Sequence, residues 1–332
     1  MFHDLPRSTK EKLFISQQEI IPFLEKLSSS NDSVLMTSWD SALLQFMGLF
    51  FAHLRSQSGV DVIQEQSLVN PDVITFQPEG SYYKVKEEVR QQILHEASLS
   101  PVVCLKKSLM ITECQRLRAE SANSLLKVIE EPTKHINFIL LSNNPEDVIP
   151  TIKSRCIEIQ LQPISESLIK ELVDETDLKD FYKYTKNNFG LLLDYKTNYR
   201  EVVTILENIA ANIQNGLEIN EVYESATLLN QAVTALQDVL KEKNATRLVE
   251  YKQFVKDSKL SSSFVKRFEE NLHREERRVK RNALVKICEV LSYHFPQFLE
   301  VITEYKNRLV FNPNEALFVE SLLLSIAKGT LI

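Results

Sequence analysis

The stretch Ser121-Ala-Asn-Ser-Leu-Leu-Lys-Val-Ile-Glu-Glu-Pro132 is the most informative part of this sequence for the fold. Its apolar residues recur at helical spacing on one face: Ala122, Leu125, Leu126 and Ile129. Pro132 ends the predicted helix, because proline cannot continue the helical hydrogen-bond pattern. The nearly continuous apolar run Ile136–Leu141 follows, which is typical of a strand buried on both faces. A helix followed by such a strand predicts a sheet covered by helices.

The same alternation extends over the first half of the chain. Short β-type runs occur at Val34–Met36, Val73–Phe76, Ser108–Ile111, Ile136–Ser142 and Ile157–Leu161. Helical patterns lie before and between them, at Ile15–Leu27, Ala42–His53, Lys86–Ala97 and Ser121–Glu131. Strands that alternate with helices in this way predict βαβ units, and therefore an α/β domain with a parallel sheet.

The second half carries no further strand pattern. After Pro163, apolar residues recur at intervals of three and four, as in the stretch Glu201–Ile213. We therefore predict three domains: an α/β domain over 1–162, a small helical domain over 163–215 and a helical bundle over 216–332.

Glycine is too sparse for a phosphate-binding loop. The chain of 332 residues contains six glycines, at positions 48, 59, 80, 190, 216 and 329. A loop that cradles phosphates needs two or three glycines within about six residues, so that backbone N–H groups can converge on the oxygens. We therefore expect no nucleotide cofactor to be bound by this chain itself.

Charge and cysteine content exclude other classes. The formal net charge is −6, which argues against an autonomous nucleic-acid-binding protein. The four cysteines form no C-x-x-C pair, so no zinc site and no disulfide framework are expected. An N-terminus without an apolar segment and the absence of a long apolar run predict a cytoplasmic protein with no membrane contact.

Three consecutive motifs resemble a known family. The stretch 121–132 is followed by Phe138-Ile-Leu-Leu-Ser-Asn-Asn-Pro145 and by Ile149-Pro-Thr-Ile-Lys-Ser-Arg-Cys156. This combination resembles the clamp-loader branch of the AAA+ proteins, and within it the delta prime subunits of bacterial DNA polymerase III. The match is dense over about 95–162. It implies an α/β AAA+-like domain followed by an all-α lid and an all-α collar.

The sequence departs from a working ATPase of that family at three places. The segment Thr37-Ser-Trp-Asp-Ser-Ala-Leu-Leu-Gln45 stands where active members carry the phosphate loop, and Leu43 and Leu44 stand near the positions of its second glycine and its lysine. Thr112 replaces a metal-binding aspartate, and no arginine follows Gly190 where a sensing arginine would lie. The resemblance therefore implies a degenerate nucleotide site with no metal.

One catalytic element of the family remains, in Ser154-Arg155-Cys156. In the family this arginine reaches the γ-phosphate of ATP that a neighbouring subunit binds, so the resemblance implies a catalytic role in trans for Arg155. A guanidinium suits that role, because it is permanently charged and pairs with phosphate oxygens. The alternative is a surface arginine that pairs with a carbonyl or carboxylate of its own chain.

Two further expectations concern side chains near the degenerate site. Asn143 and Asn144 are predicted to form a turn before Pro145 and to cap the helix that leads to Arg155, rather than to sense a phosphate. Trp39 is predicted to be buried.

The resemblance implies a non-hydrolysing clamp-loader subunit of the delta prime type. Its partners would be the gamma/tau and delta subunits in a hetero-oligomer, and it would meet the sliding clamp and primed DNA through that complex. A divergent ATPase of the gamma/tau type and a stand-alone DNA-binding protein remain alternatives. The first predicts nucleotide binding by the chain alone, and the second predicts salt-sensitive DNA binding.

Overall fold

The computed structural model describes residues 5–59, 61–63, 70–78, 83, 88–117, 119–185, 188–216, 219–309 and 313–330. The chain forms two compact units, Met1–Leu193 and Asp194–Ile332. The division into three domains at residues 162 and 215 stays a prediction.

A parallel sheet forms the centre of the N-terminal unit. Its strands are β1 (Val34–Thr37), β2 (Val73–Phe76), β3 (Lys107–Ile111), β4 (Ile136–Ser142) and β5 (Ile157–Gln160). The five strands are ordered β2-β3-β4-β1-β5, and every neighbouring pair is parallel. All residues of β1, β3 and β4 are buried, which explains their apolar runs. The predicted α/β fold is confirmed.

Nine helices accompany this sheet among the described residues. They are α1 (Arg7–Ile15), α2 (Ile21–Ser28), α3 (Ser41–Ser56), α4 (Glu88–Ser98), α5 (Ala119–Glu130), α6 (Pro150–Lys153), α7 (Glu166–Leu172), α8 (Glu175–Thr185) and α9 (Phe189–Asp194). The single helix predicted over Ile15–Leu27 is wrong, because one helix ends at Ile15 and another begins at Ile21. Pro22 lies in the first turn of α2, where its missing N–H costs nothing, but it could not lie inside a continuous helix. Residues 86 and 87 of the predicted helix Lys86–Ala97 lie outside the described residues.

Helix α3 packs closely on the sheet. A Cβ atom at Gly48 would lie 2.8 Å from Leu141 Cδ1 and 3.2 Å from Met110 Sδ, so the glycine lets this helix approach β3 and β4. The start of α3 is thereby held at the carboxyl end of β1, where the candidate site lies.

The regular secondary structure described in the C-terminal unit consists of helices. Its α-helices are α10 (Arg200–Gln214), α11 (Ile219–Asp257), α12 (Ser263–His294), α13 (Leu299–Arg308) and α14 (Glu315–Thr330). The long helices α11 and α12 pack along each other, and α14 packs on α11. The predicted all-α second half is confirmed for the described part of the chain. None of the helices described is long and apolar enough to cross a membrane.

Candidate functional site

A buried carboxylate occupies the start of α3. Asp40 Oδ1 accepts hydrogen bonds from the backbone N–H groups of Ala42 at 3.0 Å and Leu43 at 2.9 Å. This is a helix N-cap, formed because an aspartate directly precedes the first helical residue. The Asp40 residue is only 5% exposed, so the cap lies inside the protein rather than at its surface.

The second oxygen of the same carboxylate binds a distant part of the chain. Asp40 Oδ2 accepts the N–H of Gly190 at 3.0 Å. A Cβ atom at position 190 would lie 2.6 Å from the backbone nitrogen of Ala42, so glycine is required by this close approach. Beside it, Asn188 Nδ2 donates to the carbonyl of Trp39 at 2.6 Å. The segment before α3 is therefore fastened to the start of α9.

The electrostatics of Asp40 follow from its burial. Loss of water raises the pKa of this carboxyl, and hydrogen bonds from the N–H groups of Leu43, Gly190 and Ala42 oppose that rise. The N-terminus of a helix attracts anions, because its free N–H groups and dipole point at the ligand. Here the chain's own carboxylate takes the place that a phosphate group could occupy.

A cavity lies next to this carboxylate. It has a volume of about 350 Å³ and is lined by Thr37, Ser38, Trp39, Asp40, Pro145, Gln160, Leu161, Pro163, Ile164, Thr185 and Asn188. The prediction that Trp39 is buried is wrong, because its side chain is 65% exposed. Trp39 lies at a bend between β1 and α3, and it lines the cavity together with Asp40, whose carboxylate caps α3.

The other residues that differ from an ATPase site are either apolar or already bound to a partner within the chain. Leu43 is fully buried and Leu44 is 4% exposed, so neither presents a polar group. Thr112 Oγ1 donates to the carbonyl of Phe76 at 3.2 Å. Glu113, the adjacent carboxylate, forms an ion pair with Arg116 at 3.0 Å. The described residues at these positions provide neither a cation for phosphate nor a free carboxylate pair for a metal.

Asn143 and Asn144 stabilise local structure. Asn143 Oδ1 accepts from Gln115 Nε2, which joins the end of β4 to the turn after β3. Asn144 precedes a short 3₁₀ turn that begins at Pro145, rather than before it as predicted, and the Asn144 amide donates to Asp147. The predicted cap is wrong, because α6 begins after Ile149 without a side-chain cap.

Arg155 lies between α6 and β5 and is held by its own chain. Its Nε donates to Glu130 Oε2 at 2.7 Å, and its Nη1 donates to the carbonyl of Thr151 at 3.1 Å. The side chain is 30% exposed. No hydrogen bond from Nη2 is formed within the described residues, so one edge of the guanidinium is available to an acceptor on another molecule.

Sequence reasoning found Arg155 and the altered phosphate-loop region but missed Asp40 and Glu130. An aspartate directly before an apolar helix is a recognisable N-cap signal, so the capping role of Asp40 was accessible from the sequence. The hydrogen bond between Asp40 and Gly190 could not be predicted from the sequence, because the two residues are 150 positions apart.

A solved structure of another protein has a fold similar to that of this chain. The chain superposes on a DNA polymerase III, gamma subunit-related protein from Thermotoga maritima with a TM-score of 0.50 and 15% identity, covering 95% of this chain and 99% of that one. This likeness concerns the fold alone and identifies an AAA+-like α/β domain followed by helices.

Sequence matches specify the family further. Residues 55–165 match the family model described as "DNA polymerase III, delta subunit". DNA polymerase III subunit gamma of Buchnera aphidicola from Schizaphis graminum is 26% identical, over 72% of this chain and 70% of that protein. Subunit delta' of Bacillus subtilis is 30% identical, over 42% of this chain and 40% of that protein. These matches make the chain similar to subunits of DNA polymerase III over part of its length.

Proposed function

We propose that this chain is a clamp-loader subunit of the delta prime type, which does not hydrolyse ATP but supplies Arg155 in trans to ATP on a neighbouring subunit. The observation that carries the proposal is the occupied anion position, where the buried Asp40 carboxylate takes the N–H groups at the start of α3. A phosphate group would have to displace this carboxylate, and Leu43 and Leu44 at the start of α3 offer it no positive charge. The half-buried Arg155 retains a free guanidinium edge in the same chain.

The chemistry of this role is electrostatic. An arginine that reaches a γ-phosphate stabilises the charge that develops as the phosphoryl group is transferred, and in related reactions contributes about 10³–10⁵ in rate. The subunit then needs no cofactor of its own. Its substrate-binding partner is the ATPase subunit beside it.

The proposed partners are gamma/tau and delta subunits, and through them the sliding clamp and primed DNA. The C-terminal helices would form the oligomerisation domain. Supporting this, α11 exposes large apolar side chains that a partner helix could cover: Leu228, Val239 and Val249. A cytoplasmic location belongs to the same proposal.

The decisive experiment is Arg155→Ala in a reconstituted clamp loader in which only the adjacent ATPase subunit is competent for hydrolysis. DNA-stimulated ATP turnover should fall by about 10³-fold, while gel filtration shows an intact complex. Lys153→Ala is the matched control, because it removes a neighbouring positive charge from α6. Unchanged turnover in the Arg155→Ala complex would refute the role in trans.

The similarity to subunit gamma over 72% of this chain favours one second candidate, a divergent ATPase of the gamma/tau type. That candidate requires ATP binding by the isolated chain. Equilibrium dialysis with ATP and Mg²⁺ distinguishes the two, because the delta prime type requires no binding.

A further inference from the structure

The contact between Glu130 and Arg155 joins two segments that are 25 positions apart in the chain. Glu130 is the last residue of α5, and Arg155 follows α6. We propose that Glu130 is a positioning residue, which orients the Arg155 guanidinium for a phosphate on the neighbouring subunit. This inference rests on the proposed function of Arg155 in trans.

The geometry fixes the guanidinium on one side. Glu130 Oε2 accepts from Nε at 2.7 Å, while the carbonyl of Thr151 and the hydroxyl of Ser154 accept from Nη1 at 3.1 and 3.4 Å. Because the guanidinium is planar, holding Nε and Nη1 also sets the direction of Nη2. The group that remains available therefore has a defined orientation before a partner arrives.

Preorientation matters because arginine is a flexible side chain. An arginine that must lose its rotamer freedom in each transition state contributes less to catalysis than one that is already held in place. The helix end at α5 and the carbonyl of Thr151 in α6 belong to segments that pack on each other. The two anchoring points are thus fixed relative to each other by the fold.

The carboxylate does not cancel the function of the arginine. The Glu130 side chain is 55% exposed, so solvent screens its charge. A surface ion pair of this kind adds little to folding stability. A loss of ATP turnover without a loss of stability would therefore separate positioning from a purely structural role.

The chain offers a matched control at the next position. Glu131 is an exposed carboxylate at the same helix end, and it forms no ion pair among the described residues. Glu130→Ala and Glu131→Ala remove the same charge at adjacent positions, but only the first removes the contact with Arg155.

The test uses the reconstituted complex, with each variant made in the wild-type and the Arg155→Ala backgrounds. Glu130→Ala should lower the kcat of DNA-stimulated ATP hydrolysis about 10-fold with little change in the KM for ATP. Glu131→Ala should leave kcat unchanged. Glu130→Gln should recover part of the activity, because its amide oxygen can still accept from Nε. In the Arg155→Ala background, Glu130→Ala should have no further effect.

Two results would overturn the positioning role alone: wild-type kcat for Glu130→Ala, or an equal loss in the Arg155→Ala background. If Arg155→Ala itself leaves turnover unchanged, the function in trans fails and the positioning role fails with it. The two failures are therefore distinguishable within one set of complexes.

Discussion

Asp40 Oδ2 accepts the backbone N–H of Gly190 at 3.0 Å, although the two residues are 150 positions apart in the chain. The other oxygen of the same carboxylate caps α3. One buried side chain thus joins the starts of two helices and keeps the adjacent anion position filled. The two carboxylate oxygens of Asp40 should therefore both stabilise this junction and prevent a phosphate group from binding at the start of α3.

Replacing Asp40 should destabilise the protein more than the loss of an ordinary cap. Asp40→Ala removes the cap of α3 and leaves the buried N–H of Gly190 without an acceptor, so we expect a loss of about 2–4 kcal/mol in the free energy of unfolding. Asp40→Asn should lose less, because its one amide oxygen can still cap α3 while its NH₂ group faces Gly190. Urea unfolding followed by circular dichroism measures both.

The control for this comparison is Ser165→Ala. Ser165 caps α7 by accepting a single hydrogen bond from the N–H of Leu168 at 3.3 Å in an exposed position. Its loss should cost about 1 kcal/mol. If Asp40→Ala costs no more than Ser165→Ala, the link to Gly190 contributes nothing to stability.

Gly190→Ala should be severely destabilising. The added Cβ would lie 2.6 Å from the backbone nitrogen of Ala42 and 2.9 Å from Asp40 Oδ1, and a backbone atom cannot move aside as a side chain can. We expect a loss of about 3 kcal/mol in urea unfolding. Gly59→Ala isolates the backbone effect, because Gly59 has a φ of +71° with nothing within 4 Å, and it should cost about 1 kcal/mol.

The double variant Asp40→Ala/Gly190→Ala tests whether these two residues stabilise the protein through the same contact. Asp40→Ala and Gly190→Ala disrupt the same contact, so the double variant should lose less stability than the sum of the two losses. Strict additivity would mean that the two residues stabilise the protein independently.

The sheet was predictable from the sequence because its signals are local. Strand β4 is a continuous apolar run, and it is buried over its whole length. The break between α1 and α2 was missed because the apolar pattern continues across Pro22, although the proline itself was a warning. The pair of Glu130 with Arg155 was not predictable, because it depends on how α5 and α6 pack.

The altered phosphate-loop region also shows that contacts between distant segments could not be predicted from the sequence. Leu43 and Leu44 indicate what the site lacks, but the sequence alone does not say what fills it. That answer depends on the direction in which Asp40 points, which is set by the approach of Gly190.

His53 should make the folded state sensitive to mild acid. Burial lowers the pKa of His53 from 6.5 to about 4, so the folded protein keeps this ring neutral while the unfolded chain binds a proton below pH 6.5. Stability should therefore fall as the pH decreases from 6.5 to 4, with a contribution on the order of 3 kcal/mol from this group. Urea unfolding at pH 7, 6, 5 and 4 measures the slope.

A histidine variant isolates this contribution. His53→Gln should reduce the fall in stability between pH 6.5 and 4, because the variant has no ring to protonate at this position. An identical slope in wild type and His53→Gln would contradict the assignment.

The buried ion pair of Lys107 with Glu96 provides the last prediction. Their charged atoms are 3.1 Å apart, and the side chains are only 2% and 8% exposed. Glu96→Gln leaves the buried Lys107 ammonium without this carboxylate, so it should cost about 3–5 kcal/mol in the free energy of unfolding. The double variant Glu96→Gln/Lys107→Met should be more stable than Glu96→Gln alone, because that ammonium is then absent. If its loss equals the sum of the two single losses, the pair is not coupled in the folded protein.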